Sequence, residues 1–331
     1  MSLKNCNGRV LLLGGALVVS ANVNAQTRTA QDYPNRPVRM IVPQAAGSGV
    51  DLMARTISQK LSETFSQQVV VDNRAGANGI IGLELAAKSK PDGYTMVFGV
   101  PSSLTMNPFI YKSLPYDTFR DFTAVIQTAT NTFGMVVNAS LPVRSVKEFI
   151  ALARQHQGQM LHGSFGIGNM THLAAELLSI QSGIKMVHVP FKGETPSVVA
   201  LMSGEIAVML TPMQGSAPYV RAGKLRLLAT LGEKRSIAFP TAPSMGELGY
   251  KDLIMSGWSG ILAPTGTPPE IINKMQQEVA RQLLVPETRE NLIQQGAEPV
   301  ASSPEQFAAF IKAEAAKWSK VIKAAGLERT Q

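Results

Sequence analysis

Beyond Pro37 the chain alternates short runs rich in β-branched residues with amphipathic stretches of about a dozen residues, the pattern of parallel strands joined by helical crossovers. Strands are predicted at 38–42, 69–71 and 95–99, with helices over 51–65 and from about 78 to 88 between them. In the first helix Met53, Ile57, Leu61 and Phe65 recur every fourth residue and form one apolar stripe. Such a stripe is core rather than a cofactor site. A second series begins near Asp121, with strands at 123–127, 135–137, 161–164, 186–189, 206–210 and 225–230. Helices separate these strands, starting at Val146 and near Thr171, Ser197 and Ala217. Ser145-Val146-Lys147-Glu148 has the capping-box pattern, in which each polar side chain satisfies a free amide at the helix start.

Past Pro240 and Pro243 the character changes, and after the glycine-rich stretch 256–260 helices dominate. Thr267-Pro268-Pro269-Glu270 and Ser303-Pro304-Glu305-Gln306 both read as capping boxes with proline at the first helical position. In the last helix Phe307, Phe310, Ile311, Trp318, Val321 and Ile322 share one face and must dock on something. With no third sheet to build, the tail is predicted to return over the first series. The expected division is a discontinuous lobe of 33–124 with 231–331, and a second lobe of 125–230. No repeat of fixed period and no low-complexity segment appears, which argues against solenoids and disordered linkers.

Residues 1–25 alter the setting. Lys4 and Arg9 form a basic start, residues 10–21 an apolar run, and Val23-Asn24-Ala25 a small-residue cleavage pattern, together a secretory signal peptide. The run is too short for a membrane anchor, which needs about 20 apolar residues. Cleavage after Ala25 makes the location periplasmic and, of 331 residues, leaves 306 that begin at Gln26. The single cysteine, Cys6, precedes the apolar run, so it is not a lipidation site and the mature chain has no thiol. Stability must then come from burial alone, as a chain of this size allows. Losing Lys4 and Arg9 takes the formal charge from +8 to +6. The basic residues are scattered singly, which excludes a nucleic-acid stripe and leaves a mild bias toward anions or simply a soluble basic surface.

Chemistry is sparse. His156, His162, His172 and His188 show no metal-ligand spacing, and without cysteine neither a thiolate zinc site nor a cysteine nucleophile is available. His172 and His188 read first as packed or hydrogen-bonded residues. Gly-x-Ser-x-Gly is absent, Gly257-Trp258-Ser259-Gly260 missing that spacing by one residue. Gly166-Ile167-Gly168-Asn169-Met170-Thr171 begins like a dinucleotide fingerprint but lacks its third glycine, so no cofactor is called for.

What recurs instead is a small-residue loop between a strand end and a helix start, the place where ligands sit in open α/β sheets. Gln44-Ala45-Ala46-Gly47-Ser48-Gly49-Val50-Asp51, Pro101-Ser102-Ser103 and Ser164-Phe165-Gly166-Ile167-Gly168-Asn169 are such loops, drawn from both series. Glycine lets amides approach a ligand, and the following helix points its positive end at the same spot, so a carboxylate can be held without Arg or Lys. Each loop taken singly is equally an ordinary βα turn.

These segments, with Asp72-Asn73-Arg74-Ala75-Gly76-Ala77-Asn78-Gly79, Pro91-Asp92-Gly93-Tyr94-Thr95, His172, His188-Val189-Pro190-Phe191-Lys192-Gly193 and Ala222-Gly223-Lys224-Leu225-Arg226, resemble the Bug/TctC family in the same order along the mature chain. That family comprises solute receptors of tripartite tricarboxylate transporters. The resemblance implies a two-lobed α/β periplasmic binding protein, type II-like, each lobe a mostly parallel sheet flanked by helices, closing on a small carboxylate in the cleft between them. It implies a monomer, no cofactor and no chemical step, with two membrane permease subunits or a sensor-kinase ectodomain as partner. The implied ligand positions are Gln44, Ala46, Gly47, Ser48, Asp51, Ser102, Ser103, Ser164, Phe165, Gly166, Gly168, Asn169 and Phe191. Asp51 reads equally as an acid stabilised by its helix dipole. Arg74 and Lys192 can attract an anion or sit in surface turns.

The chain departs from the family pattern at Gly47-Ser48, where Gly-Gly is frequent, at Val50, where a small polar residue is, and at Phe191, where tyrosine is common. Ala207 and Thr211 occupy frequent Asp positions. These departures point to a less polar distal pocket and so to an aromatic or medium-chain carboxylate over an amino acid or citrate. The rival class is a periplasmic hydrolase with Ser164 as nucleophile and His172 or His188 as base.

Overall fold

The computed structural model describes residues 32–324 and residue 328; the expected signal peptide lies outside them. Strands β1 (Val38–Val42), β2 (Val69–Asn73) and β3 (Thr95–Gly99) pair in parallel, β1 in the middle. Helices α1 (Gly49–Phe65) and α2 (Ile80–Ala87) cross between them. Alternation along β1 sends Val38, Met40 and Val42 into one apolar cluster with α1 and Ile41 into another with α2, so both faces of this sheet are buried.

β4 (Phe122–Asn138) ties the two halves together. Its first part pairs antiparallel with β9 (Ser256–Pro264), which joins β3, while its last part pairs with β7 (Val208–Pro212) and β8 (Leu225–Thr230). Separate strands were expected at 123–127 and 135–137. The intervening Thr128-Ala129-Thr130-Asn131-Thr132 breaks the hydrophobic signal, yet Thr128 and Asn131 are buried and the Thr128 hydroxyl lies 3.0 Å from the Ser259 carbonyl. In the second half β5 (Leu161–Ser164) pairs in parallel with β6 (Val187–Pro190) and β7. The short helix α3 (Asn107–Ile110) precedes β4, and around the second sheet pack α4 (Val146–Gln155), α5 (Met170–Ser182), α6 (Glu194–Ser203) and α7 (Met213–Arg221). The result is a two-lobed α/β fold.

The capping boxes fared differently. Ser145 accepts from the Glu148 amide, and Glu148 reaches back to Arg144 rather than Ser145. At the tail, Ser303 and Gln306 exchange both bonds at 3.2 and 2.9 Å. Thr267 is not a cap: Pro268 takes that position before α8 (Pro269–Leu284), and the Thr267 hydroxyl donates to Pro264. After α9 (Pro286–Gln294), the final helix α10 (Pro304–Ala324) reaches further than the first series. Phe307 and Ile311 pack with α2 and β9, whereas Trp318 and Ile322 pack in the core of the second sheet. Leu231, Met245, Leu253 and Met255 also join that second core. Among the described residues no helix is long and apolar enough to cross a membrane.

Candidate functional site

Loops at the C-terminal ends of β1, β2 and β3 face loops after β5 and β6 across a cavity of about 580 Å³. One wall includes Gln44, Ala77, Asn78, Ser102 and Ser103; the other includes Phe165, Ile167, Asn169, Phe191 and Lys192. That volume suits a small metabolite, and the mix of apolar walls with a few polar groups is what a small-molecule site needs.

The first wall is shaped by local backbone geometry. Ala77 and Asn78 have φ of 44° and 56°, the left-handed region that costs an alanine side chain energy and that asparagine tolerates better. This turn replaces the helix start expected at Asn78, and α2 begins only at Ile80. Asn78 is fixed from behind, donating to Asn107 Oδ1 at 3.2 Å while Asn107 Nδ2 donates to its carbonyl at 3.2 Å. After β3, residues Ser102–Met106 wind as a single π-helical turn, a geometry frequent at functional sites. Ser103 donates to the Val100 carbonyl, and the Tyr116 phenol donates to the Ser103 carbonyl. Ser102 has no side-chain hydrogen bond among the described residues and lines the cavity.

The second wall rests on Asn169. Its Oδ1 accepts the Thr171 amide at 3.1 Å, capping α5, and its Nδ2 donates across the cleft to Asn78 Oδ1 at 2.8 Å. Beneath this loop Ser164 Oγ lies 2.6 Å from His188 Nε2 and accepts the Gly166 amide at 3.1 Å. The His188 ring stacks on His172 with centroids 3.9 Å apart and on His162 at 4.9 Å. Burial, then the neighbouring imidazoles, pull the His188 pKa down to about 4. Glu176, 3.5 Å from His162 and 3.6 Å from His172, is held well below the usual carboxylate range by the attraction of those two rings.

Of the residues singled out in the sequence, Gln44, Ser102, Ser103, Phe165, Gly166, Asn169 and Phe191 reach the cavity wall. Ala46, Gly47, Ser48, Asp51, Ser164 and Gly168 do not. The loop before α1 turns inward on itself: Gly47 donates to Asp51 Oδ2 at 2.8 Å, and Ser48 Oγ caps the Asp51 amide. Burial works to raise the Asp51 pKa, but hydrogen bonds from Arg55, Gly47 and Asn73 hold it below the ordinary value. Ser164 has no exposed surface, and the Gly168 amide donates to His172 Nδ1 at 3.2 Å. Ala207 and Thr211 lie outside the wall as well, so they do not make its distal side apolar; Phe165, Ile167 and Phe191 do. Arg74 is paired with Asp72. Sequence reasoning missed the Ala75–Gly79 loop, Tyr111 and Glu194 as lining residues. The strand-end pattern Gly76-Ala77-Asn78-Gly79 was the available signal for the first of these.

Two α/β lobes on either side of a ligand-sized cleft define a solute-binding receptor of the periplasmic binding protein class. Residues 53–327 match the family described as tripartite tricarboxylate transporter family receptor, and the chain belongs to that family. It is 34% identical over 319 residues to Protein BugT of Bordetella pertussis, covering 96% of this chain and 98% of that protein. Its fold matches the periplasmic binding protein BugD at TM-score 0.85 and 29% identity, covering 89% of this chain and 99% of the other. An R. palustris protein solved with adipate matches at 0.86 and 35%, with the same coverages. MatC from Rhodopseudomonas palustris with bound malate matches at 0.82 and 26%, covering 88% of this chain and 100% of MatC.

Proposed function

We propose that this receptor captures a medium-chain or aromatic carboxylate in the periplasm and delivers it to the permease subunits of a tripartite transporter. It acts as a monomer, after cleavage behind Ala25, and performs no chemical step. The lobes are 33–124 with the tail, and 125–230, with the segment up to Met255 riding on the second lobe because its apolar residues pack there.

The observation that carries this reading is the state of the helix ends around the cavity. At α1 the amides of Gly47 and Gly49 are taken by Asp51 and Glu194, and α5 is capped by Asn169. Only α6, among these three, starts with no side-chain cap, at Gly193, and Lys192 stands beside it on the cavity wall. Free amides, a positive helix end and an ammonium group favour an acid group there. Opposite, the Ser102 hydroxyl offers a donor, and Phe165, Ile167 and Phe191 suit an apolar body between polar ends. Adipate in one relative and malate in another fit the same chemistry. The test is the melting temperature of the purified receptor against mono-, di- and aromatic carboxylates. Ligand at about 100 times its Kd adds ~2.7 kcal/mol of stability, so a selective rise supports the reading, and a flat panel after unfolding and refolding overturns it.

A further inference from the structure

Glu194, the first residue of α6, is 4% exposed, and its carboxylate forms no ion pair among the described residues. Its Oε2 accepts the Gly49 amide at 2.7 Å and its Oε1 accepts the Gly215 amide at 3.1 Å. Gly49 opens α1 beside the first sheet; Gly215 lies in the first turn of α7 beside the second. A Cβ on Gly215 would stand 2.3 Å from Glu194 Oε1, and one on Gly49 would stand 2.3 Å from Gln214 Cβ. Neither glycine has a left-handed backbone, so close approach and not conformation requires glycine there. Next door, Thr195 Oγ1 donates to the Ala46 carbonyl at 3.1 Å, a second bond between the same two elements' surroundings.

We propose that Glu194 is a positioning residue that latches the lobes together over the ligand, its one carboxylate joining an amide from each lobe. The inference rests on the receptor reading above. Parting the lobes breaks the Gly49 bond and exposes the carboxylate to water; closing them buries it between two donors. Burial pushes its pKa up to about 7 against the pull of the two amides, and no charged group contributes to that shift. The charged and titratable groups on the surrounding elements are otherwise engaged or remote. On α1, Asp51 is bonded to Gly47, Arg55 and Asn73. On α7 Tyr219 and Arg221 sit at the far end, on β5 and β6 His162 and His188 stack on each other while His188 is paired with Ser164, and Lys192 is exposed in the loop before α6.

The proton linkage has a definite sign. A carboxyl whose pKa rises on closure favours the closed form fully below about 4.5, and that contribution is lost as pH rises through about 7. Between pH 6 and pH 8 the latch therefore weakens closure by about tenfold. A Glu194→Gln variant cannot titrate and removes this slope.

The experiment is hydrogen exchange on the full receptor, wild type, Glu194→Ala and Glu194→Gln, each with and without adipate, with adipate affinity followed from pH 6 to pH 8. In Glu194→Ala the segments containing Gly49 and Gly215 should both exchange at least ~10-fold faster, while the other core segments stay protected. Adipate should dissociate faster by about 10-fold or more, because two buried amides lose their acceptor. If both segments stay protected, or only the Gly215 segment loosens, Glu194 is local packing and the latch is wrong. If Glu194→Ala does not fold, the Glu194→Gln profile decides: the same pH slope as wild type refutes the latch. Should adipate fail to protect the wild type, adipate is not its ligand, and the Gly49 and Gly215 exchange still judges the latch.

Discussion

Asn169 holds two jobs that one pair of substitutions can separate. Its Oδ1 caps α5 by accepting the Thr171 amide, and its Nδ2 donates across the cleft to Asn78. Asn169→Ala removes both. Loss of an N-cap costs about 1 kcal/mol, and loss of the cross-cleft bond about 0.5–1.5 kcal/mol. For a chain of this size each kcal/mol is worth about 2–4 °C, so the melting temperature should fall by roughly 3–10 °C. Asn169→Asp keeps the cap acceptor and suits the helix dipole, which partly offsets the lost cross-cleft bond, so stability should fall by no more than about 1 kcal/mol, less than in Asn169→Ala. Yet aspartate cannot donate to Asn78 Oδ1. Instead it sets an acceptor against an acceptor and puts a negative charge on the wall that receives a carboxylate. Affinity for the best carboxylate of the panel should then drop at least ~10-fold in Asn169→Asp, more than in Asn169→Ala. Scanning calorimetry and titration calorimetry on the two variants read the two effects apart. Wild-type affinity in Asn169→Asp would refute the placement of the acid group in this cleft.

Trp318→Ala empties a buried site on α10 where the helix reaches the second core, and should cost about 3–5 kcal/mol, seen as a fall of at least ~6 °C in thermal melts. His188 is held neutral in the fold near a pKa of about 4 against 6.5 for the free imidazole. The unfolded chain then binds the proton first, so this contribution is complete above about 6.5 and is lost as pH falls through about 4. Melting temperatures measured across that window should decline, and less steeply in His188→Gln. Phe191→Tyr adds a hydroxyl to an apolar wall, and should move the ratio of adipate to malate dissociation constants toward malate by about tenfold, read by competition titration.

Much of the architecture was legible because it rests on periodicity. Of the stripe Met53, Ile57, Leu61 and Phe65 the first three are fully buried and Phe65 partly, and the β1, β3, β5 and β8 spans match the runs read from sequence. The failures have local causes. Thr128 and Asn131 are polar yet buried in β4, which hides one long strand behind two short apolar runs. At Thr267 the motif was present, but the proline after it took the cap position. The site was legible as a set of glycine and serine loops, not as donors. Whether a loop amide faces the cavity or a neighbouring side chain depends on contacts distant in sequence, such as Glu194 on Gly49. That is why the loop before α1, with Gly47 and Gly49, proved to have its donors taken by Asp51 and Glu194.

The Ser164 and His188 pair shows why a short hydroxyl–imidazole contact is not by itself chemistry. A general base at neutral pH works best with a pKa near 7, where it is free to accept a proton and strong enough to hold it. His188 sits near 4, stacked between two other imidazoles, and would hold a serine proton poorly. Ser164 is wholly buried and outside the cavity wall, so a substrate carbonyl has no approach to its oxygen. What the hydroxyl does reach is the Gly166 amide, in the loop that forms the cavity wall. The pair is better understood as a post under that loop: the histidines stiffen β5, β6 and α5, and Ser164 fixes where Gly166 and Phe165 stand. Ser164→Ala should therefore weaken carboxylate binding and cost about 1–3 kcal/mol of stability through lost hydrogen bonding, a fall of about 2–12 °C in melting temperature. Ester hydrolysis by the wild-type receptor that vanishes in Ser164→Ala would refute this account and make the pair a nucleophile and its base.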